Sequence, residues 1–130
     1  MKEIDVVCGV IQKEDQYLVA RRGKGVDEGF DEFPGGKVEK GESFEEAIQR
    51  ELKEELDIEV NVLKHLLDFD DVRSDRILHL HAYLCEIKKG KPTLSVHTDL
   101  KWIQIHELSD CHFQKADQVL LQHLTKNERS

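Results

Sequence analysis

The stretch 34–58 constrains this chain more than any other. It opens with a glycine-bearing loop, Pro34-Gly35-Gly36-Lys37-Val38-Glu39-Lys40-Gly41-Glu42, and continues into a run with helical spacing. Ser43 followed three residues later by Glu46 predicts a capping box, in which each side chain accepts from the other residue's backbone N–H. Phe44, Ala47, Ile48, Leu52 and Leu56 then fall on one face of a wheel turning about 100° per residue. Glu51 and Glu55 lie inside that apolar stripe and Glu54 on its flank, while Gln49 and Lys53 take the opposite side. A helix carrying only solvated charge has the reverse arrangement.

Carboxylates are costly to bury alone, so these are expected to be ion-paired, protonated or metal-bound. Three glutamates with few cations nearby suit a hard divalent ion, which takes oxygen ligands. Arg50 can neutralise one of them. The competing reading is a surface helix with surplus acid, whose ion pairs contribute little.

Gly36, Glu42 and the run Arg50-Glu51-Leu52-Lys53-Glu54-Glu55-Leu56-Asp57-Ile58 resemble the Nudix box of the Nudix hydrolase family. One position departs: Asp57 stands where that family usually has glycine. Aspartate is among the few non-glycine residues that tolerate the left-handed conformation a helix end often requires. The resemblance implies an α+β fold, an α/β/α sandwich with a mixed sheet between helices, and a single domain over 1–130 with its box at 36–58. It implies ligands for Mg²⁺ or Mn²⁺ at the Gly35 carbonyl, Glu51, Glu54 and Glu55. Catalytic roles fall to Arg50, Glu51 and Glu54, with Glu51 as the base or the group that positions water. Gly36 and Glu42 match supporting positions, and Lys37 stands where it can meet phosphate or steady a carboxylate.

The rest of the chain narrows the class. At 130 residues it has room for one domain. A formal net charge of −8 argues against binding a nucleic-acid polymer. An acidic protein can still take a polyphosphate where a metal supplies positive charge. Cys8, Cys85 and Cys111 form neither a metal spacing nor a disulfide framework, as expected of a cytoplasmic protein. No signal-like h-region or membrane-length apolar run is present. The expectation is a cytoplasmic monomer or homodimer without a membrane partner.

Apolar β-rich runs at 4–11 and 17–20 predict a hairpin. Further strands are expected at 59–63, 66–69, 77–87 and 100–105, and a last helix from Ala116 or Asp117. Apolar residues on both faces of 77–87 mark a central strand. His79 and His81 share one face of it, but two histidines without a third ligand point to ordinary sheet positions rather than a metal site.

The MutT-like members of the family hydrolyse a nucleoside triphosphate to a monophosphate and pyrophosphate, and the resemblance implies that reaction here. Many relatives carry a second catalytic glutamate before the Trp-bearing strand. This chain has Val96 in that place, with Asp99 as the candidate substitute. No Tyr or Pro lies between Asp57 and Ala82, which disfavours the dinucleoside-polyphosphate and ADP-ribose subtypes. Glu32-Phe33-Pro34-Gly35-Gly36-Lys37 is similar to the MutT-type approach to the box, with Asp31 where tryptophan is common.

Arg22, Phe33 and Asp117 match substrate-contacting positions. Arg22 is equally readable as a solvated strand end and Asp117 as a helix N-cap. An ionised Asp117 only accepts hydrogen bonds, whereas a protonated one imitates Asn. An oxidised nucleotide of the 8-oxo-dGTP type and a CTP or 5-substituted dCTP type both remain open. The alternative is a non-catalytic nucleotide-sensing or partner-binding domain, which Val96 keeps in play.

Overall fold

Strand β1 (Lys2–Lys13) is where the halves of the sheet meet in the computed structural model, which describes residues 1–25, 27–94 and 97–129. Val7 and Ile11 of β1 enter one core cluster while Cys8 and Val10 enter another. Side chains alternate along a strand, so apolar residues at every position are what a sheet covered on both faces requires. The strand order is β3 (Asp31–Glu32), β2 (Gln16–Arg22), β1, β6 (Arg76–Lys89), β5 (Glu59–Val72).

β2 (Gln16–Arg22) turns back antiparallel on β1 but pairs with it only at Gln12↔Tyr17 and Lys13↔Gln16. The short β4 (Gly35–Lys37) takes the edge of β1 at Val6, Val7 and Cys8 instead. β3 (Asp31–Glu32) and β7 (His97–Gln104) pair with β2. On the other side β6 (Arg76–Lys89) runs parallel to β1 and β5 (Glu59–Val72) antiparallel to β6. β6 is therefore the central strand its sequence predicts. The divergence of β1 from β2 opens the space in which the box loop sits.

Helix α1 (Phe44–Leu56) packs Ala47, Ile48, Leu52 and Leu56 against Val7, Ile11, Leu18 and Cys85. Helix α2 (Gln118–Arg129) packs Leu120, Leu121 and Leu124 on the opposite face, against Cys8, Val10, Val19 and Ala82. This is the expected α/β/α sandwich of α+β class. The capping box forms: Ser43 Oγ accepts from Glu46 N–H at 3.1 Å, and Glu46 Oε1 accepts from Ser43 N–H at 2.9 Å. Asp57 ends α1 at φ 57° and ψ 43°, the left-handed conformation anticipated for it.

Two details differ from the sequence expectation. The runs at 59–63 and 66–69 are parts of one strand whose register shifts at Val62/Lys64 and His65/Leu67. A bulge adds an unpaired residue, so strict alternation breaks and one strand looks like two. Ala116 and Asp117 belong to a 3₁₀ turn (Lys115–Asp117), and α2 begins after it.

Candidate active site

The two box glycines are required for different reasons. A Cβ on Gly35 would stand 1.9 Å from the Val7 carbonyl oxygen, so the close pairing of β4 with β1 excludes any side chain there. A Cβ on Gly36 would meet the Glu51 carboxyl, 2.4 Å from its Cδ. The Glu51 carboxylate thus lies flat on a loop that has no side chain to push it away.

The glutamates of α1 divide. The side chains of Glu51 and Glu55 are 15% and 16% exposed, whereas that of Glu54 is 60% exposed. Arg50 ties the network together. Its Nε and Nη2 donate to both oxygens of Glu42 at 2.7 and 3.0 Å, and Nη1 donates to Glu51 at 2.9 Å and Glu54 at 3.2 Å. Nη2 also donates to the Lys37 carbonyl at 3.0 Å. The Arg50 hydrogen bonds hold the Glu42 carboxyl below its ordinary range, and the guanidinium is raised in return. Lys37 contributes its carbonyl, while its side chain is exposed and lines neither cavity described below.

Glu55 behaves in the opposite way. Burial first, then a hydrogen bond and charge from Glu51 and the charge of Glu32, hold its carboxyl well above the ordinary range, against the pull of Arg22. Glu51 and Glu55 thus stand together where a divalent cation would offset both charges, and an all-oxygen donor set of this kind fits a hard ion. Among the described residues no three His, Cys, Asp or Glu side chains stand in a ready-made metal cluster, and Glu54 is bonded to Arg50.

Two small cavities adjoin this pair. One, of about 120 Å³, is lined by Cys8, Phe33, Gly35, Gly36, Leu80 and Asp117 among others. The second, of about 180 Å³, is lined by Gly23, Lys24, Glu55 and His97. Arg22 and Glu32 line both, joined to each other at 3.0 Å. A larger groove of about 550 Å³ between the 3₁₀ turn at Ile105–Asp110 and α2 contains none of these acids.

In the first cavity, burial and the nearby charges of Glu32, Asp71 and Asp27 push the Asp117 carboxyl up to about 7, against Arg73. Phe33 is buried and stacked on Phe113 with ring centroids 5.2 Å apart. Asp31, where relatives commonly have tryptophan, is buried. It accepts from Arg21 Nε at 3.2 Å and from the His112 N–H at 2.8 Å, anchoring the segment that leads to Asp117.

Sequence reasoning passed over His97. Val96 lies outside the described residues. Asp99, the suggested substitute for a loop glutamate, is exposed on β7 opposite Arg21. His97 instead is buried beside the acids, with Nε2 2.8 Å from Glu32 and 3.8 Å from Glu55. The register shifts between Arg21 and Arg22, so alternation counted back from Trp102 assigns residue 97 to the wrong face.

The fold and the box geometry agree with the family comparison: the NUDIX domain family model matches residues 1–124. The chain belongs to the Nudix hydrolase family and is an enzyme of that class. It is similar to the CTP pyrophosphohydrolase of Escherichia coli, with 37% identity covering 94% of this chain and 91% of that protein. The 8-oxo-dGTP diphosphatase of Haemophilus influenzae is 32% identical, covering 95% and 92% respectively. The solution structure of the Escherichia coli ORF135 protein superposes with a TM-score of 0.85 at 35% identity, covering 97% of this chain and 91% of that one. Nudix hydrolases act on small nucleotide substrates and generally use divalent cations. Among the described residues no helix is long and apolar enough to cross a membrane.

Proposed function

We propose that this chain, as a single domain over 1–130, hydrolyses a nucleoside triphosphate to a monophosphate and pyrophosphate with Mg²⁺, Mn²⁺ serving in its place. The observation that carries the reading is the inward-turned Glu51–Glu55 pair beside two cavities joined by Arg22 and Glu32. Free thiols at Cys8, Cys85 and Cys111 support a cytoplasmic setting.

Glu51, Glu55 and the Gly35 carbonyl are the proposed ligands. Glu54 is the most weakly held member of the set, bonded to Arg50 at the exposed edge. A bound Mg²⁺ would offset charge on the phosphate oxygens and lower the pKa of water. Arg50 fixes the direction of Glu51, so that this carboxylate can accept a proton from the attacking water or orient it. Arg22 and Lys24 line the second cavity and can pair with phosphate oxygens. Lys37 is a weaker candidate for that role, given its outward side chain.

The base is proposed to lie against Phe33 with its edge toward Asp117. An ionised Asp117 accepts from the exocyclic amine of cytosine or from the additional N–H of an oxidised guanine, and a protonated one donates as well. The names of the two curated relatives support those same classes, CTP and 8-oxo-dGTP types. The test is pyrophosphate release from a nucleotide panel, with and without Mg²⁺, by the protein and by Glu55→Gln. Magnesium-dependent release lost in the variant is the expected result. Binding of nucleotide without product would favour a sensing domain instead.

A further inference from the structure

We infer that His97 is a positioning residue for the divalent-cation site: its Nε2–H holds Glu32 against Arg22 and so keeps Glu32 from competing with Glu55 for the cation. The inference rests on the proposed metal role of Glu55.

The His97 side chain is 3% exposed. An ionised carboxylate only accepts, so the short contact from Nε2 to Glu32 Oε2, 2.8 Å, places the imidazole proton on Nε2. The same nitrogen is 3.8 Å from Glu55 Oε2, so one N–H stands between two acids and is committed to one of them. The other oxygen of Glu32, Oε1, accepts from Arg22 Nη1 at 3.0 Å. Glu32 is thereby clamped from both sides at the wall shared by the two cavities. Nδ1 has no hydrogen-bond partner among the described residues, so Nε2 supplies the hydrogen bond seen at this ring.

Glu32 and Glu55 face the same imidazole nitrogen, at 2.8 and 3.8 Å, so two carboxyl groups stand close across this space. Remove the Nε2 donor and Glu32 is held by Arg22 alone, with a second carboxylate in front of it. It can then compete with Glu55 for a cation and lose its hold on Arg22. A histidine that merely filled space at the β2–β7 seam would tolerate any residue of similar size.

Two substitutions of similar volume separate these roles. His97→Leu removes the donor, and His97→Gln keeps an amide N–H at the reach of Nε2. Mn²⁺ affinity is measured by electron paramagnetic resonance without substrate, together with the melting temperature and KM for the nucleotide. The expected result is Mn²⁺ binding weakened on the order of 10–100-fold in His97→Leu and restored to within about threefold in His97→Gln, as for other groups that orient metal ligands. KM rises in the leucine variant with little change in melting temperature.

Unchanged Mn²⁺ affinity in His97→Leu, or equal weakening in both variants, overturns the inference. Should His97→Leu not fold, His97→Gln against His97→Asn makes the same comparison, since the shorter amide cannot reach Glu32. Failure of the unaltered protein to bind Mn²⁺ would remove the metal reading itself and this inference with it. Mn²⁺ binding that Glu55→Gln abolishes and His97→Leu leaves intact would remove this inference alone.

Discussion

Gly36→Ala is predicted to disable the enzyme while leaving it folded. The new Cβ would lie 2.4 Å from Glu51 Cδ and 2.5 and 2.6 Å from its carboxylate oxygens, whereas ordinary contact begins at 3.4 Å. The Glu51 carboxyl must therefore retreat by roughly 1 Å, a displacement that in a catalytic group costs on the order of 10²-fold in rate. Its 2.9 Å bond from Arg50 must adjust with it. The obstructed atoms are the free end of a side chain rather than backbone, so the sheet is not forced apart. Replacing a glycine whose φ is not left-handed also restrains the unfolded chain, which contributes about 0.4–1 kcal/mol of stability.

Pyrophosphate release should fall on the order of a hundredfold with the melting temperature held or slightly raised. Gly35→Ala is the control. Its Cβ meets the Val7 carbonyl at 1.9 Å, so that variant should lose stability outright. Turnover by Gly36→Ala close to that of the unaltered protein would refute the reasoning, as would inactivity explained by unfolding.

Asp117 and His79 give predictions with the same pH sense, since each holds its proton more tightly in the folded state. The Asp117 carboxyl is raised from 3.8 to about 7, so folding favours its neutral form and the group's contribution to stability is lost as pH rises across that window. Asp117→Asn should therefore be the more stable protein above pH 7, with the gap closing toward pH 4 in thermal melts. It should also abolish any change in base preference across neutral pH, and equal effects on every nucleotide would count against a base-reading role. His79 places Nδ1 2.7 Å from Asp70 and Nε2 2.8 Å from Glu3, contacts that both become donor bonds only in the imidazolium. Asp70 first and Glu3 second raise its pKa above 6.5. The stabilisation is thus complete below that value and lost as pH rises through the raised one. His79→Gln should flatten this slope in denaturant titrations at a series of pH values.

The box was legible because its chemistry overrides the pattern of its own helix. Glu51 and Glu55 occupy apolar positions, and nothing in a helix periodicity explains them except a partner. The caps of α1 were legible for a similar reason, since Ser43, Glu46 and Asp57 answer local backbone needs. What escaped was set by pairing between distant segments. The bulges of β5 and the shift between Arg21 and Arg22 belong to two strands at once, so neither sequence run displays them. His97 and Glu32 are 65 residues apart and meet only through that shift. Asp31 looked like a missing tryptophan, and its buried bonds to Arg21 and His112 required the segment 112–113 to be in place.

A calorimetric titration with Mg²⁺ near neutral pH, run in two buffers of different ionisation enthalpy, tests most directly whether the acids of α1 face a cation. Glu55 is held above its ordinary pKa by burial and by Glu51, so a cation that binds it must displace the Glu55 proton. The account predicts binding with release of up to one proton, both abolished or strongly weakened in Glu55→Gln. Absence of binding, or binding that releases no proton and survives that substitution, would contradict it.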